Sequence, residues 1–513
     1  MLSVIRIDKI IINALLTLLL YVNKALMGEL TLFREIFTME KRYYCRGKEV
    51  FLIYLESFQK TVLGLYFMKG LEPVSLRRRG GHMPVDNSRL KGFYKLSVPE
   101  RRALLAEIAG LSDEDVQAWE NAELDEGTAD RMIENVIGRY SLPIGVATNF
   151  IIDGEHYIIP FVVEEASVVA AASNMAKRCQ ANGGFTSNNT DPVMIGQIQI
   201  VGCEDPEASK EAILAAKEEL IQACNDVDPI LVKFGGGCKD VEVRIIQTMS
   251  GPMVIVHILV DCRDAMGANA VNTMAETIAP RVESLSGGTV ILRIISNLAV
   301  HRLARVSATF TPEEMSDSGN DPSRGAEVIE GVIQAYHFAA ADPFRATTHN
   351  KGIMNAISPI GIACGQDWRA IESGAHSYCA HEREYGSMTH WEKDSDGNLV
   401  GSIEIPMAVG LVGGAIRIHP GAQANVALLG IKSANDLAKC MAAAGLAQNL
   451  GALRALATVG IQAGHMKLHL RNMAASAGAN PDEIEKVAAK VRESGERITM
   501  AAVEEALSQI RSN

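Results

Sequence analysis

The chain has 513 residues, 48% of them hydrophobic, and carries 49 Lys and Arg against 61 Asp and Glu, a formal net charge of −12. That length and apolar content suffice for two or three domains with sizeable cores. The negative balance argues against a surface that neutralises the phosphates of a nucleic acid, so no nucleic-acid partner is expected.

Residues 1–82 differ from the rest. They hold 13 Lys and Arg against 7 Asp and Glu, and ten of the 27 aromatic residues. Their apolar run "IIINALLTLLLYV" at 10–22 follows Arg6 and Lys9 in the manner of a signal or anchor. Its 13 residues fall short of the roughly 20 that span a bilayer. The segment ends in "RRRGGHM", and purine-rich ribosome-binding codons translate as Arg and Gly. Met83 is therefore expected to be the start, with residues 1–82 a translated upstream sequence. Targeting, anchoring or an ordered extra domain are the competing readings.

From Met83 onward the pattern is orderly. Ser97 with Glu100 three positions on is a capping-box signature, opening a helical lead-in through "SVPERRALLAEIAGLSDEDVQAWEN". Residues 191–297 alternate strand and helix: "MIGQIQIVG", the helical "EASKEAILAAKEELIQACNDV", the strands "VEVRIIQT" and "PMVIVHILVDC", the helical "ANAVNTMAETIAPRVESL", then "TVILRIIS". Strand, helix, strand, strand, helix, strand is the order of a split βαβ, ferredoxin-like unit, here a candidate inserted domain. The Ala- and Gly-rich "LAKCMAAAGLAQNLGALRALATVGIQ" indicates tightly packed helices. Residues 475–513 read as a helix pair broken at "AGANPDE".

Neither G-x-G-x-x-G after a strand nor G-x-x-x-x-G-K-[ST] occurs, so the usual dinucleotide and P-loop fingerprints are absent. Glycines cluster instead as "GGG" at 235–237 and in "DAMGANAVNT" at 264–273. The second follows a strand and opens a helix, which places Asp264, Met266, Gly267 and Asn269 where backbone N–H groups could meet a phosphate. A glycine at a helix start is, by itself, more often only a turn.

Four polar residues interrupt stretches that favour burial: Glu165 in "IIPFVVEEASVVAAAS", Lys351 in "THNKGIMN", Asp367 in "IACGQDWRA" and His465 in "QAGHMKLHLRN". Buried charges are costly unless paired. Taken singly, these are an ion pair and a satisfied core histidine. His465 and His469 have an i, i+4 spacing that metal ligands use, but no H-E-x-x-H or Cys partner accompanies them, so no metal is expected. The nine cysteines, at 45, 179, 203, 224, 238, 262, 364, 379 and 440, are odd in number and contain no C-x-x-C pair. They read as small buried hydrophobes in a reducing, cytoplasmic compartment.

Together the motifs carry a resemblance that none carries alone. "ENVIG" at 134–138, "EEAS" at 164–167, "DAMGAN" at 264–269, "DPFRAT" leading into "THNKGIMN" at 348–355, "GQDWRA" at 365–370 and "GHMKLHLRN" at 464–472 resemble 3-hydroxy-3-methylglutaryl-coenzyme A (HMG-CoA) reductase, in its class II, bacterial and archaeal form. The likeness runs in the family's order from about Met83 to the C-terminus and leaves residues 1–82 uncovered.

The resemblance implies an α+β fold. Residues 83–190 and 298–461 would form a large mixed helical and sheet domain binding substrate and coenzyme A. Residues 191–297 would be the inserted ferredoxin-like NAD domain, and 462–513 a small helical C-terminal flap. It implies two hydride transfers interconverting HMG-CoA with mevalonate and coenzyme A. Lys351 would stabilise the oxyanion formed as the thioester carbonyl receives hydride. Glu165 would hold the proton delivered at the aldehyde level, and Asp367 would hydrogen-bond both. His465, carried by the flap, would protonate the departing thiolate. Ser167, Asn297, Arg345 and Asn355 would line the substrate site. Ala356 stands where the family usually has Gly. Asp228 in "NDVDPILVKFGGG" occupies the place of an acid on the ribose 2′-hydroxyl, which favours NAD over NADP, although Asp226 lies close in register. "ENVIG" lies at the dimer interface in this family and the active site is shared, so a homodimer or higher oligomer is expected. The alternatives are an acyl-CoA hydrolase or transferase using His465 and Cys364, and a membrane-anchored binding protein.

Overall fold

The computed structural model describes residues 85–121, 124–317, 321–458, 460, 470–495 and 498–512. The readings made of residues 1–82 and of His465 and His469 lie outside the described residues.

Three short helices, α1 (Val98–Ala109), α2 (Asp113–Asn121) and α3 (Glu126–Met132), lead into the antiparallel pair β1 (Ile144–Ile152) and β2 (Glu155–Val162). The expected capping box opens α1: Glu100 Oε2 accepts from both the Ser97 N–H and its hydroxyl at 2.7 Å. After α4 (Val168–Arg178) and β3 (Phe185–Ser187), the chain builds a second sheet.

That second sheet uses β4 (Val193–Val201), α5 (Pro206–Ala215), α6 (Lys217–Val227), α7 (Pro229–Lys233), β5 (Gly237–Thr248), β6 (Gly251–Asp261), α8 (Ala268–Ser286) and β7 (Thr289–Ser296). Its strand order is β5-β6-β4-β7, antiparallel throughout, the topology the strand–helix alternation predicts. The period of two explains β4: Ile198 and Ile200 are buried in the cluster that includes Val271 and Met274 of α8, while Gln197 and Gln199 alternate with them. The single helix expected over 207–227 is divided at Ala216, whose N–H bonds Ile213 O.

The chain rejoins the first sheet through β8 (Leu303–Phe310). Thr190 and Leu303 close the base of the inserted unit: the Thr190 N–H donates to Leu303 O at 3.0 Å, and the Leu303 N–H to Thr190 Oγ1 at 2.7 Å. Then follow α9 (Pro312–Met315), α10 (Pro322–Ala341), α11 (Pro343–Ala363), α12 (Trp368–Cys379), β9 (Thr389–Lys393), β10 (Leu399–Pro406), α13 (Pro420–Leu429) and α14 (Ala434–Ala457). The large sheet is six-stranded, in the order β2-β1-β3-β8-β10-β9. Ala-rich α14 is the centre of the large core, packed against α11, α4, α10 and β8. A Cβ on its Gly445 would stand 2.9 Å from Ile357 Cδ1, so the close approach of α14 to α11 depends on glycine there.

The C-terminal residues form a separate apolar cluster around Leu470, Val487, Val491, Val503 and Leu507. The expected break at "AGANPDE" is present, but α15 (Pro481–Glu493) and α16 (Met500–Arg511) follow helical residues 470–476. There are thus three helical stretches where a pair was expected, because Gly495 at φ 68° and the Thr499 N-cap end one helix and begin another. Among the described residues, no helix is long and apolar enough to cross a membrane.

Candidate active site

Helix α11 organises the site. Asp342 caps it, accepting from the Arg345 N–H at 3.1 Å, with Pro343 in the first turn. Its middle is clamped from behind. Fully buried Asn350 donates through Nδ2 to Tyr385 OH (3.0 Å) and Gly386 O (2.8 Å), and accepts from the Met388 N–H at 3.0 Å. Buried His349 lies 2.8 Å from Ser387 Oγ, 3.0 Å from Thr389 Oγ1 and 3.0 Å from Asn449 Nδ2. Burial, helped by the nearby Arg345 charge, pushes its pKa down to about 3, so the ring is neutral at physiological pH.

With His349 and Asn350 turned inward, Lys351 faces out. Its Nζ donates to Glu165 Oε2 at 3.0 Å. Glu165 lies in the bend between β2 and α4, two residues before Ser167. Ser167 adopts φ 78°, a left-handed conformation uncommon for a residue with a side chain, and its hydroxyl makes no capping bond to α4. Asn355 is one helical turn beyond Lys351 on the same face.

Burial of these charges is not what the structure shows. The Lys351 side chain is 59% exposed and that of Glu165 33%. The small residues of α11 that favour burial serve its other faces, against α14. The stripe Phe344, Thr348, Lys351, Asn355, Ser358 and Ile362 runs along the outer face, with Phe344 84% exposed.

Asp367 also departs from expectation. It is the N-cap of α12, accepting from the Ala370 N–H at 3.1 Å, with Arg369 Nη2 at 3.5 Å. It bonds neither Lys351 nor Glu165 of its own chain. From Lys351 to the end of α11 is roughly 18 Å of helix axis, and Gly365 and Gln366 turn tightly against that end through Ile362 O and Gly361 O. Asn297 keeps company with Asp367's helix: a Cβ on Gly374 of α12 would stand 2.5 Å from Asn297 O. Within one chain Asp367 is therefore set apart from the Lys351–Glu165 pair, whereas α12 runs back along α11, with Ser358 bonded to Glu372 and His376 to Tyr385, which places Asn297 beside the middle of α11. Arg345 is half-buried in the first turn of α11, and burial lowers its pKa.

The "DAMGAN" segment joins β6 to α8. Gly267 is the N-cap at φ 108°, and a Cβ there would lie 2.4 Å from Cys262 Sγ, so both backbone and space require glycine. The first N–H groups of α8 have no partner within the helix, Asn269 is exposed, and Met266 is half-buried beside them. This is a fit for a dinucleotide phosphate. Asp264 is tied to the large unit: its Oδ1 accepts from the Ala434 N–H of α14 at 2.8 Å and its carbonyl from the Leu411 N–H at 2.7 Å. Its carboxylate thus serves a helix N-terminus of the large unit, because an Asp so placed satisfies an orphan donor.

Asp228 caps α7, accepting from the Leu231 N–H at 2.9 Å. At the other end of α7, Gly235 O accepts from Lys239 Nζ (2.8 Å) and Arg263 Nη2 (2.7 Å). These two cations were not singled out from the sequence; three glycines between basic residues carry no recognisable period. Among the described residues no cluster of three or more His, Cys, Asp or Glu is placed for a metal. A cleft of about 310 Å³ on the large sheet is lined by Thr186, Arg305, Ser307, Ser402 and Glu404 among others, and by none of the predicted site residues. Cys364 is fully buried and burial pushes its thiol up to about 12, which disfavours the thiolate a hydrolase or transferase would need.

The fold, a split βαβ unit set into a larger helical and sheet unit, is shared with a family of oxidoreductases. The profile of the family described as hydroxymethylglutaryl-coenzyme A reductase matches residues 97–470. A 3-hydroxy-3-methylglutaryl-coenzyme A reductase of Archaeoglobus fulgidus is 54% identical over 426 residues, covering 83% of this chain and 95% of that protein. A probable one of Borreliella burgdorferi is 32% identical, over 75% of this chain and 86% of its own. The solved reductase of Streptococcus pneumoniae superposes with a TM-score of 0.70 at 38% identity, covering 82% of this chain and 99% of that one. A second structure from that organism, class II and bound to NADPH in open conformations, gives 0.69 at 40% identity, covering 72% of this chain and 99% of its own. The chain belongs to the hydroxymethylglutaryl-coenzyme A reductase family.

Proposed function

We propose that this chain interconverts HMG-CoA with mevalonate and coenzyme A by two hydride transfers, at a site completed by two copies of the chain. The observation that carries the reading is the Lys351–Glu165 contact of 3.0 Å on the outer face of α11, beside Ser167. When bound, the nicotinamide cofactor supplies the hydride for each step.

Lys351 stands where an ammonium can stabilise the oxyanion that forms as the thioester carbonyl is reduced. Collapse of that adduct breaks the C–S bond, and His465 delivers the proton that lets coenzyme A leave as a thiol. The second hydride converts the aldehyde to the primary alcohol. Its oxygen takes a proton through Glu165, whose carboxylate lies within hydrogen-bond reach of Lys351. Ser167, Asn355 and Arg345 offer donors to the carboxylate and hydroxyl of the substrate. Residues 83–190 with 298–461 are the substrate and coenzyme A domain in this reading, 191–297 the cofactor domain and 462–513 the flap that closes over the intermediate.

The separation of Asp367 from Lys351 supports a shared site: the aspartate would come from the partner subunit. The segment around "ENVIG" is consistent with this, because Ile137 and Tyr140 are bare in the single chain, as residues awaiting an interface are. We read the protein as a cytoplasmic homodimer, alone or within a larger oligomer.

For the cofactor, Asp228 supports NAD. Only one of its oxygens is recorded in a cap, and a carboxylate beside the ribose accepts a 2′-hydroxyl but repels a 2′-phosphate. A second reading, NADP, draws on Arg263 and Lys239 at Gly235, which a 2′-phosphate could engage, and on the NADPH bound to the pneumococcal relative. The deciding experiment follows nicotinamide absorbance with mevalonate and coenzyme A against NAD⁺ and NADP⁺ separately. Reduction that requires coenzyme A and prefers NAD⁺ supports the first reading. Preference for NADP⁺ would replace it with the second, and no turnover in either direction from folded protein would sink the reaction itself.

A further inference from the structure

We propose that Arg302 is a positioning residue of the cofactor site, holding the turn at Ala265–Gly267, and with it the N–H groups that open α8, from the large unit. This rests on reading "DAMGAN" as the cofactor phosphate segment. Arg302 lies in the turn before β8 and is 3% exposed. Among the described residues its side chain donates to three main-chain carbonyls and to no carboxylate. Nη1 donates to Ala265 O and to Met266 O, each at 3.0 Å, and Nη2 to Val409 O at 2.5 Å.

A buried guanidinium bonded only to neutral carbonyls is expensive to keep, although the nearby Asp261 and Asp264 carboxylates offset part of that cost. The gain lies in what it orients. The Met266–Gly267 peptide is planar and trans, so fixing its carbonyl toward Arg302 sends the Gly267 N–H to the opposite edge. The neighbouring N–H groups of the first turn of α8 are the orphans of a helix start. The permanent positive charge of Arg302 behind that turn, partly offset by the Asp261 and Asp264 carboxylates, also adds to the positive end of the helix dipole.

The same turn is pressed from a second side. A Cβ on Gly410 would stand 2.4 Å from Met266 N, and the Leu411 and Val412 N–H groups both donate to Asp264 O. Asp264 in turn holds the start of α14. The phosphate-facing turn of the small unit is therefore set by residues of the large one, and Arg302 is the central fastening. Cofactor affinity should then depend on a side chain that never touches cofactor.

The test uses Arg302→Gln and Arg302→Lys in the full chain, with NADH and NADPH titrated by fluorescence, beside kcat, the KM for HMG-CoA and Tm. Arg302→Gln is expected to raise the cofactor Kd about tenfold or more, since the fork and its charge are both lost. Arg302→Lys should recover part of that, and the KM for HMG-CoA should move less than about twofold for both, because the charge acts on a phosphate site and not on the acyl site. Variants that melt earlier yet keep the cofactor Kd would show a merely structural arginine and overturn the proposal. Should Arg302→Gln fail to fold, Arg302→Lys decides alone by the same criterion. Asn269→Asp, at an exposed position in the first turn of α8, separates the two layers. If it leaves cofactor affinity unchanged, the reading of the segment fails; if it weakens affinity and the Arg302 variants do not, only the role of Arg302 fails.

Discussion

Lys351 Nζ lies 3.0 Å from Glu165 Oε2, while Asn350, the residue before it, is fully buried with both ends of its amide bonded. One peptide thus joins a reactive, solvent-facing ammonium to a fixed anchor. The anchor gives the ammonium a direction, as preorganised electrostatic stabilisation requires.

Lys351→Ala should lower kcat by about 10²- to 10³-fold, the range for losing one oxyanion-stabilising group. Stability should change by less than about 1 kcal/mol, since the pair is largely exposed. Turnover and denaturant midpoint measured on one preparation check both halves. A variant that loses stability and activity in parallel would place Lys351 in the scaffold.

The anchor predicts the reverse balance. Asn350→Ala strips partners from Met388 N–H, Gly386 O and Tyr385 OH, and orphaned buried groups cost about 1–3 kcal/mol each before relaxation. A loss of about 2–4 kcal/mol in urea unfolding is expected, with a smaller fall in kcat than at Lys351. An unchanged unfolding midpoint would contradict the clamp.

Mixing two inactive chains tests the shared site. In a heterodimer of Lys351→Ala with Asp367→Asn, a site built from both subunits places both defects in one site and leaves the other whole. Co-refolded chains should recover about a quarter of wild-type activity, because half the dimers then hold one intact site of two. Recovery at the level of the separate variants would mean that each site is built within one chain.

His349 predicts an acid-sensitive fold. Its folded pKa, about 3, lies below the ordinary histidine value near 6.5. Between those values the unfolded chain binds more protons, so stability is complete above about pH 6.5 and falls as pH drops toward 3. One such group contributes a slope of at most about 1.4 kcal/mol per pH unit. His257 adds to it, being pushed to about 4 by burial and by the Arg244 and His301 charges. Urea midpoints at several pH values should decline less steeply in His349→Gln than in the parent chain; identical slopes would remove His349 as the cause.

The small unit was the most legible part of the chain. Its first strand alternates, Ile198 and Ile200 inward with Gln197 and Gln199 between them, and the order of its strands and helices matches a recognised unit. The large sheet was less so, because β3 is three residues long and its partners β1 and β8 lie far apart in the chain. For the site, residue types identified Glu165 and Lys351 and not their exposure. Sequence reports that α11 has small and apolar faces but not which face another element covers. The pairing of Asp367 with Lys351 came from the resemblance, and within one chain the remaining length of α11 lies between them. Asp264 has the composition of a ligand and the position of a cap, and only the contact with Ala434 N–H tells them apart.

The pairing of Thr190 with Leu303 brings the chain back to the place it left. Everything between them is an excursion whose two ends are already joined, so removing it leaves a gap that a short turn can bridge at little entropic cost. Closing the backbone is thus the smaller part of such a deletion: it would also uncap α14 at Ala434 and take away buried Arg302, which bonds Val409 O of the large unit.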